Sequence, residues 1–210
     1  MQRRAHLAGF PFTLGAGLTT ASAIKLRAKR AFGSAETDVQ LNLQTGNVSI
    51  TDPLLTIADS GGLIELGFYF NSATQQWRFG VGRQLRLPIV NNRLVVIEAD
   101  GSEINYEYNA ADESFIATSG AASLPTIRFD KITNQYTWFD PATQTSEYFD
   151  SDGLLKTRVN EKGQRNHFQY DLNGQLQSIH PENGKTVYRV ERSKNQIRVT
   201  ADNVILQTYE

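Results

Sequence analysis

From Asp38 the chain alternates. Val39, Leu41 and Leu43 fall between polar residues, Thr45, Gly46 and Asn47 interrupt the series, and Val48 and Ile50 resume it. A period of two sends successive side chains to opposite faces of a strand, so this stretch predicts a hairpin turned at Gly46. Pro53 leads into the apolar run 54–57, a turn follows at 59–62, and Ile64, Leu66, Phe68 and Phe70 then share one strand face. Trp77 and Phe79 precede Gly80 and Gly82 with no helical pattern after them. These glycines point to a bulge or a close backbone approach and not to a phosphate loop, which needs a helix N-terminus. After Gln84 turn signals recur about every ten residues, at Asn91 with Asn92, at Asp100 with Gly101, at 131–134, at 140–143 and onward to Asp202 with Asn203. Between them lie strand-length runs such as Ile104, Tyr106 and Tyr108 alternating with Glu103, Asn105 and Glu107. Short strands joined in sequence predict an antiparallel meander. The span 110–125, with Gly120, Ala121 and Ala122, breaks the rhythm and reads as a loop. The expected fold class is all-β: a curved antiparallel sheet of stacked β-hairpins.

The meander contains a repeat. Residues 149–169 (FDSDGLLKTRVNEKGQRNHFQ) are followed directly by 170–190 (YDLNGQLQSIHPENGKTVYRV), a period of 21 residues. Asp150 and Asp171, Gly153 and Gly174, Leu155 and Leu176, and Gly163 and Gly184 coincide between the copies. A repeat of this size is one supersecondary unit that cannot bury its apolar face alone and must stack. The Asp152-Gly153 and Asn173-Gly174 pairs, and the second turns at Gly163 and Gly184, suggest type I′ hairpin turns, which need positive φ at both central residues.

The aromatic-Asp-x-x-Gly-x-Leu signature, Phe149-Asp150 to Leu155 and Tyr170-Asp171 to Leu176, resembles the YD repeat of RHS-repeat proteins. Upstream, TGNVSITDPLLTI (45–57), GGLIELGFYFNS (61–72), WRFGVGRQLRLP (77–88) and VVIEADGSEINYEY (95–108) resemble, in order, the segment that precedes the repeats in that family. The resemblance implies a sheet that coils into a hollow shell around a toxic C-terminal segment during delivery. On that footing the partners would be a C-terminal toxin segment and further repeats, with this chain at the start of the shell. The family's core-closing segment, its autoproteolytic aspartate and its variable toxin domain have no counterpart in these residues. An alternative reading is a module that binds cell-surface carbohydrate.

Composition narrows the chemistry. The chain has 210 residues, 21 Lys and Arg against 22 Asp and Glu, and a formal net charge of −1, so no basic footprint for nucleic acid is present. With no cysteine there is no disulfide framework, thiolate metal site or cysteine nucleophile. No apolar stretch reaches the length of a membrane helix. Residues 1–36 differ in texture from the β domain at 37–210 and are expected to be a poorly structured or partly helical tail. Arg3 and Arg4 precede an apolar run, and Ala21-Ser22-Ala23 matches a signal-peptidase site, but Gly9, Pro11, Gly15 and Gly17 break the run and Lys25, Arg27, Lys29 and Arg30 follow it. A secretory leader, a basic membrane contact and a solvated tail all remain open. A secreted or cell-surface protein is expected over a cytoplasmic one.

No catalytic set, cofactor or metal is expected. Asp150 and Asp152 could be paired carboxylates or calcium ligands, but a calcium loop wants six to eight oxygens, and Asx residues are ordinary turn chemistry. His6, His167 and His180 lack metal-ligand spacing. The turn glycines Gly46, Gly101, Gly153, Gly163, Gly174 and Gly184 and the aromatics Trp77, Trp138, Phe149 and Tyr170 read as structural. For the carbohydrate reading, Tyr136, Trp138, Tyr148 and Tyr188 are the candidate stacking surfaces, with strand packing favoured over ligand stacking.

Overall fold

A computed structural model of the chain describes residues 23–29, 36–42, 48–59, 62–72, 75–99, 103–118 and 125–209, and strands are their only long regular elements. The protein is all-β. β1 (Ala23–Lys29), β2 (Glu36–Asn42), β3 (Val48–Asp59), β4 (Gly62–Asn71) and β5 (Gln76–Gly80) pair in sequence order as one five-stranded sheet. A thirteen-stranded sheet follows, also in strict sequence order. It opens with β6 (Gln84–Val90), β7 (Arg93–Ile97), β8 (Glu103–Asn109), β9 (Ser114–Ala117), β10 (Thr126–Asp130) and β11 (Gln135–Asp140). It continues through β12 (Thr145–Phe149), β13 (Leu155–Val159), β14 (Arg165–Tyr170), β15 (Leu176–Pro181), β16 (Tyr188–Ser193), β17 (Gln196–Ala201) and β18 (Val204–Tyr209). Every strand pair is antiparallel, which tight hairpins require. The single expected sheet is thus two, divided at Gly80–Gly82 where the chain leaves β5 for β6.

Two strands lie where none was expected. The β pattern starts at Ala23, not Asp38, because Ile24, Leu26 and Ala28 alternate with Lys25, Arg27 and Lys29 as a strand does. In register Arg27 pairs with Asp38 and Lys29 with Glu36. Inside the supposed loop at 110–125, β9 pairs with β8 and β10, and the buried Phe115 ring packs 5.3 Å from Tyr108. β3 also runs straight through Pro53, with a register shift between Pro53 and Leu55; a residue without an N–H is tolerated at such a bulge. The candidate leader at 1–22 and the turn glycines Gly46 and Gly101 lie outside the described residues.

The repeat turns are not type I′. Gly153, Gly163 and Gly174 have φ of +78°, +73° and +72°, but the residues before them are not at positive φ. Each turn instead closes over three residues. Gly153 N–H donates to Asp150 O and Asp150 N–H to Leu154 O, and the same pairs recur at 160–164 and 171–175. This is a type I turn followed by a left-handed glycine, the G1-bulge hairpin. The leading Asx side chain fixes it: Oδ1 of Asp150 accepts from the N–H groups of Asp152 and Leu154, and Asn160 and Asp171 do the same. Gly184 departs from the series; its N–H bonds Pro181 O, but its φ is not positive. Type I′ geometry occurs where no glycine is present, at Asn91 with Asn92 and at Asp202 with Asn203.

Next to two of these turns the ladder slips by one residue. Phe149 pairs with Leu155 but Tyr148 with Thr157, leaving Lys156 as an extra residue; Tyr170 pairs with Leu176 but Gln169 with Ser178, leaving Gln177. The intervening β13–β14 hairpin keeps its register. The sheet is strongly rolled. β6 and β12 are six strands apart, about 29 Å in a flat sheet at about 4.8 Å per strand, yet Leu85 N–H donates to Gly153 O at 2.9 Å. Rolling buries one face. Phe149, Leu155, Phe168, Leu176 and Ile179 from the repeats meet Leu94, Val96, Tyr106 and Ile127 there, and Ile57, Ile64 and Leu66 of the first sheet join the same core.

Candidate functional site

The signature positions of the two copies diverge in use. Phe149, Leu155 and Leu176 are core residues, whereas Tyr170 only packs against the core, with the Lys156 ammonium 5.6 Å from its ring centre. Burial, followed by the nearby Asp150 charge, pushes the Tyr170 phenol well above its ordinary range. Asp150 and Asp171 spend one carboxylate oxygen each on turn N–H groups.

The one strongly charged cluster buried within the described residues centres on Glu147, which occupies the inward face of β12 in phase with Phe149. Its side chain is 2% exposed and meets two guanidiniums, Arg83 Nη1 at 2.9 Å and Arg158 Nε at 2.8 Å. Arg83 also contacts both oxygens of Glu98 at 3.1 Å and lies 3.8 Å from the centre of the Trp138 ring. Trp138 Nε1 donates to Tyr106 Oη at 3.3 Å. Burial works against the Arg83 charge, but Glu147 and Glu98 outweigh it and hold its titration above the ordinary arginine value. Gly82 allows the close approach: a Cβ there would lie 2.6 Å from Arg158 Nη2. A carboxylate held by two cations and closed off from solvent is a clamp, joining the β5–β6 connection to β11, β12 and β13.

Three of the four candidate stacking aromatics lie inside the roll. Tyr136, Trp138 and Tyr188 are buried in the core and Tyr148 is half-buried, because strand parity turns the first three toward the rolled interior. Conversely Trp77, expected to pack, is 56% exposed against 5% for Trp138. It sits in an aromatic group on the β4–β5 hairpin, with ring centres 5.1 Å from Phe70 and 6.4 Å from Phe68, and Phe79 5.1 Å from Phe68. Beside it a cleft of about 580 Å³ opens between β5 and the β16–β17 hairpin, with Tyr170 and Gly174 in its wall.

The family model described as Teneurin YD-shell matches residues 91–210, more than half of the chain. The chain belongs to that family. No curated protein matches it. The YD-shell match spans β7 to β18, while Arg83 and Leu85, which clamp and cap the rolled wall, precede it.

The wall carries a histidine pair on its other face. His167 and His180 are partners in the β14–β15 register. His167 Nδ1 lies 3.1 Å from Thr157 Oγ1, and His180 Nε2 lies 2.9 Å from Ser178 Oγ. Burial, then Arg189 and His167, lowers the His180 pKa. Between the lowered folded value and the ordinary one, the unfolded chain binds more protons, so stability falls as pH drops below about 6.5. Urea midpoints at pH 7.5 and 5.5 check this: the loss on acidification shrinks in His180→Asn.

Sequence missed the Glu147 cluster because its partners are 64 and 11 residues away. The available signal was parity: Glu147 is two residues from Phe149 and therefore on its face.

Proposed function

We infer that this YD-shell segment is a non-catalytic piece of wall, whose role is to curve, stack with further repeats and enclose a C-terminal toxin segment. The observation that carries this reading is the rolled thirteen-stranded meander, with its apolar face sealed inward and its buried charges neutralised by one another. The end strand β18 supports it, since Val204, Ile205 and Leu206 are exposed apolar residues on a strand that has a partner on only one side among the described residues. Such an edge favours pairing with more sheet. The test is the mass of the native product detected with an antibody against 37–210, combined with protease treatment. A product far above 23.5 kDa containing a fragment protected until the wall is unfolded is the expected result. A 23.5 kDa product, or a larger one with no protected fragment, overturns the enclosure.

A further inference from the structure

The cleft beside Trp77 has features that wall-building does not use. Three cationic side chains, Arg78, Arg192 and Lys194, line it, and no described lining residue is a carboxylate, although the chain as a whole is almost neutral. Neither the Arg78 nor the Lys194 side chain has a hydrogen bond or ion pair with another described residue. Arg192 bonds the Leu176 carbonyl and lies 5.5 Å from the Phe79 ring, with no carboxylate paired to it. Burial lowers the pKa of Arg78, and that of Arg192 against the opposing charge of Asp171, the mark of cations partly stripped of water. The cleft follows a strand, for residues 77–82 line it without a gap. That strand, β5, ends its sheet and has no strand on its outer side among the described residues.

We propose that the cleft takes up an extended acidic segment of polypeptide, added as a strand along the outer edge of β5. β5 has five residues, so the added segment is about 17 Å long. Residues facing each other across paired strands share a sheet face. An apolar side chain therefore lies opposite Trp77 and Phe79, and an acidic one opposite Arg78, with Arg192, over the Phe79 ring, and Lys194 adding positive charge from the facing hairpin. The recognised pattern is apolar and acidic in alternation. Main-chain bonds supply the attachment and the cations the selectivity, as in other strand-addition sites. A carboxylated sugar would use the same cations and the Trp77 ring, but would leave the strand edge unused.

The probe is the capped peptide acetyl-Ser-Leu-Glu-Leu-Glu-Ser-amide, titrated into the full chain by calorimetry and by Trp77 fluorescence, the Trp138 ring being buried. Saturable binding that shifts Trp77 emission is expected, with affinity reduced about tenfold in Arg78→Gln and falling as salt rises. Two isomers, N-methylated on the Leu or on the Glu amides, separate strand addition from simple ion pairing, because alternate N–H groups face the same edge. One isomer should fail and the other bind. Equal binding by both isomers, or by the peptide with Lys in place of Glu, overturns the proposal. So does binding of trigalacturonate where the wild-type chain ignores the peptide. These comparisons on the unaltered protein decide the matter even where a variant folds poorly, and none depends on whether the wall encloses a toxin.

Discussion

Gly153→Ala should lower the unfolding free energy by about 4 kcal/mol, and Gly163→Ala by only about 1 kcal/mol. The two glycines have nearly the same φ, +78° and +73°. Left-handed backbone costs a residue with a Cβ roughly 1–2 kcal/mol, part of which is offset by the stiffer unfolded chain. That is the whole effect at Gly163, where an added Cβ meets nothing within 4 Å. At Gly153 the same atom would stand 2.1 Å from the Leu85 carbonyl oxygen. Backbone cannot yield as a side-chain tip does, so the turn must lift off β6. The Leu85 N–H bond to Gly153 O then fails, at about 1 kcal/mol, and the contact repacks at a further 1–3 kcal/mol. Gly174→Ala, whose Cβ would find Leu154 at an ordinary 3.8 Å, should resemble Gly163→Ala. Urea unfolding of the three variants measures this. Equal losses would mean that the β12–β13 turn is not docked on β6.

The second large loss is expected at Glu147. Glu147→Ala leaves Arg158 without its partner and Arg83 with Glu98 alone, and removing one partner of a buried ion pair costs about 3–5 kcal/mol. The lower figure, about 3 kcal/mol, applies because the Arg83 and Arg158 side chains keep 20% and 22% of their surface in water. Replacing all three together, Arg83→Met with Glu147→Leu and Arg158→Met, should recover part of that loss, since the penalty lies in unpaired charge more than in lost attraction and Glu98, left without Arg83, keeps 23% of its side chain in water. The exposed pair Arg86–Glu103, at 50% and 39% exposure, gives the contrast: Glu103→Gln should cost under about 1 kcal/mol. A Glu147→Ala loss no larger than that of Glu103→Gln would show that the cluster does not hold the roll together.

Much of this architecture was legible. Asp130, Asp140, Asp150, Asn160 and Asp171 each open a hairpin, and an Asx about every ten residues is a pattern a reader can count. The turn class was not legible, because Asp-Gly serves both a two-residue type I′ loop and a three-residue G1-bulge loop. What decides is whether Asp150 or its neighbour closes the ladder, a matter of register across the strands. Lys25, Arg27 and Lys29 looked like the flank of a leader because charge drew attention from the alternation of Ile24, Leu26 and Ala28. Trp77, expected to pack like Trp138, is exposed for a related reason. Alternation shows that two faces differ, but only the roll of the sheet decides which face is closed. The cleft was the least visible feature, since β5 and the β16–β17 hairpin lie over a hundred residues apart and no local motif marks their meeting.

The bulges at Lys156 and Gln177 lie 21 residues apart, both at the sheet rim formed by the Asp150 and Asp171 turns, while the Asn160 turn at the opposite rim has none. Each copy of the repeat therefore puts its extra residue into one border of the ribbon and spares the other. A bulge bends its strand and sharpens the local right-handed twist. The repeat therefore carries its own curvature, added at the same border once in each copy.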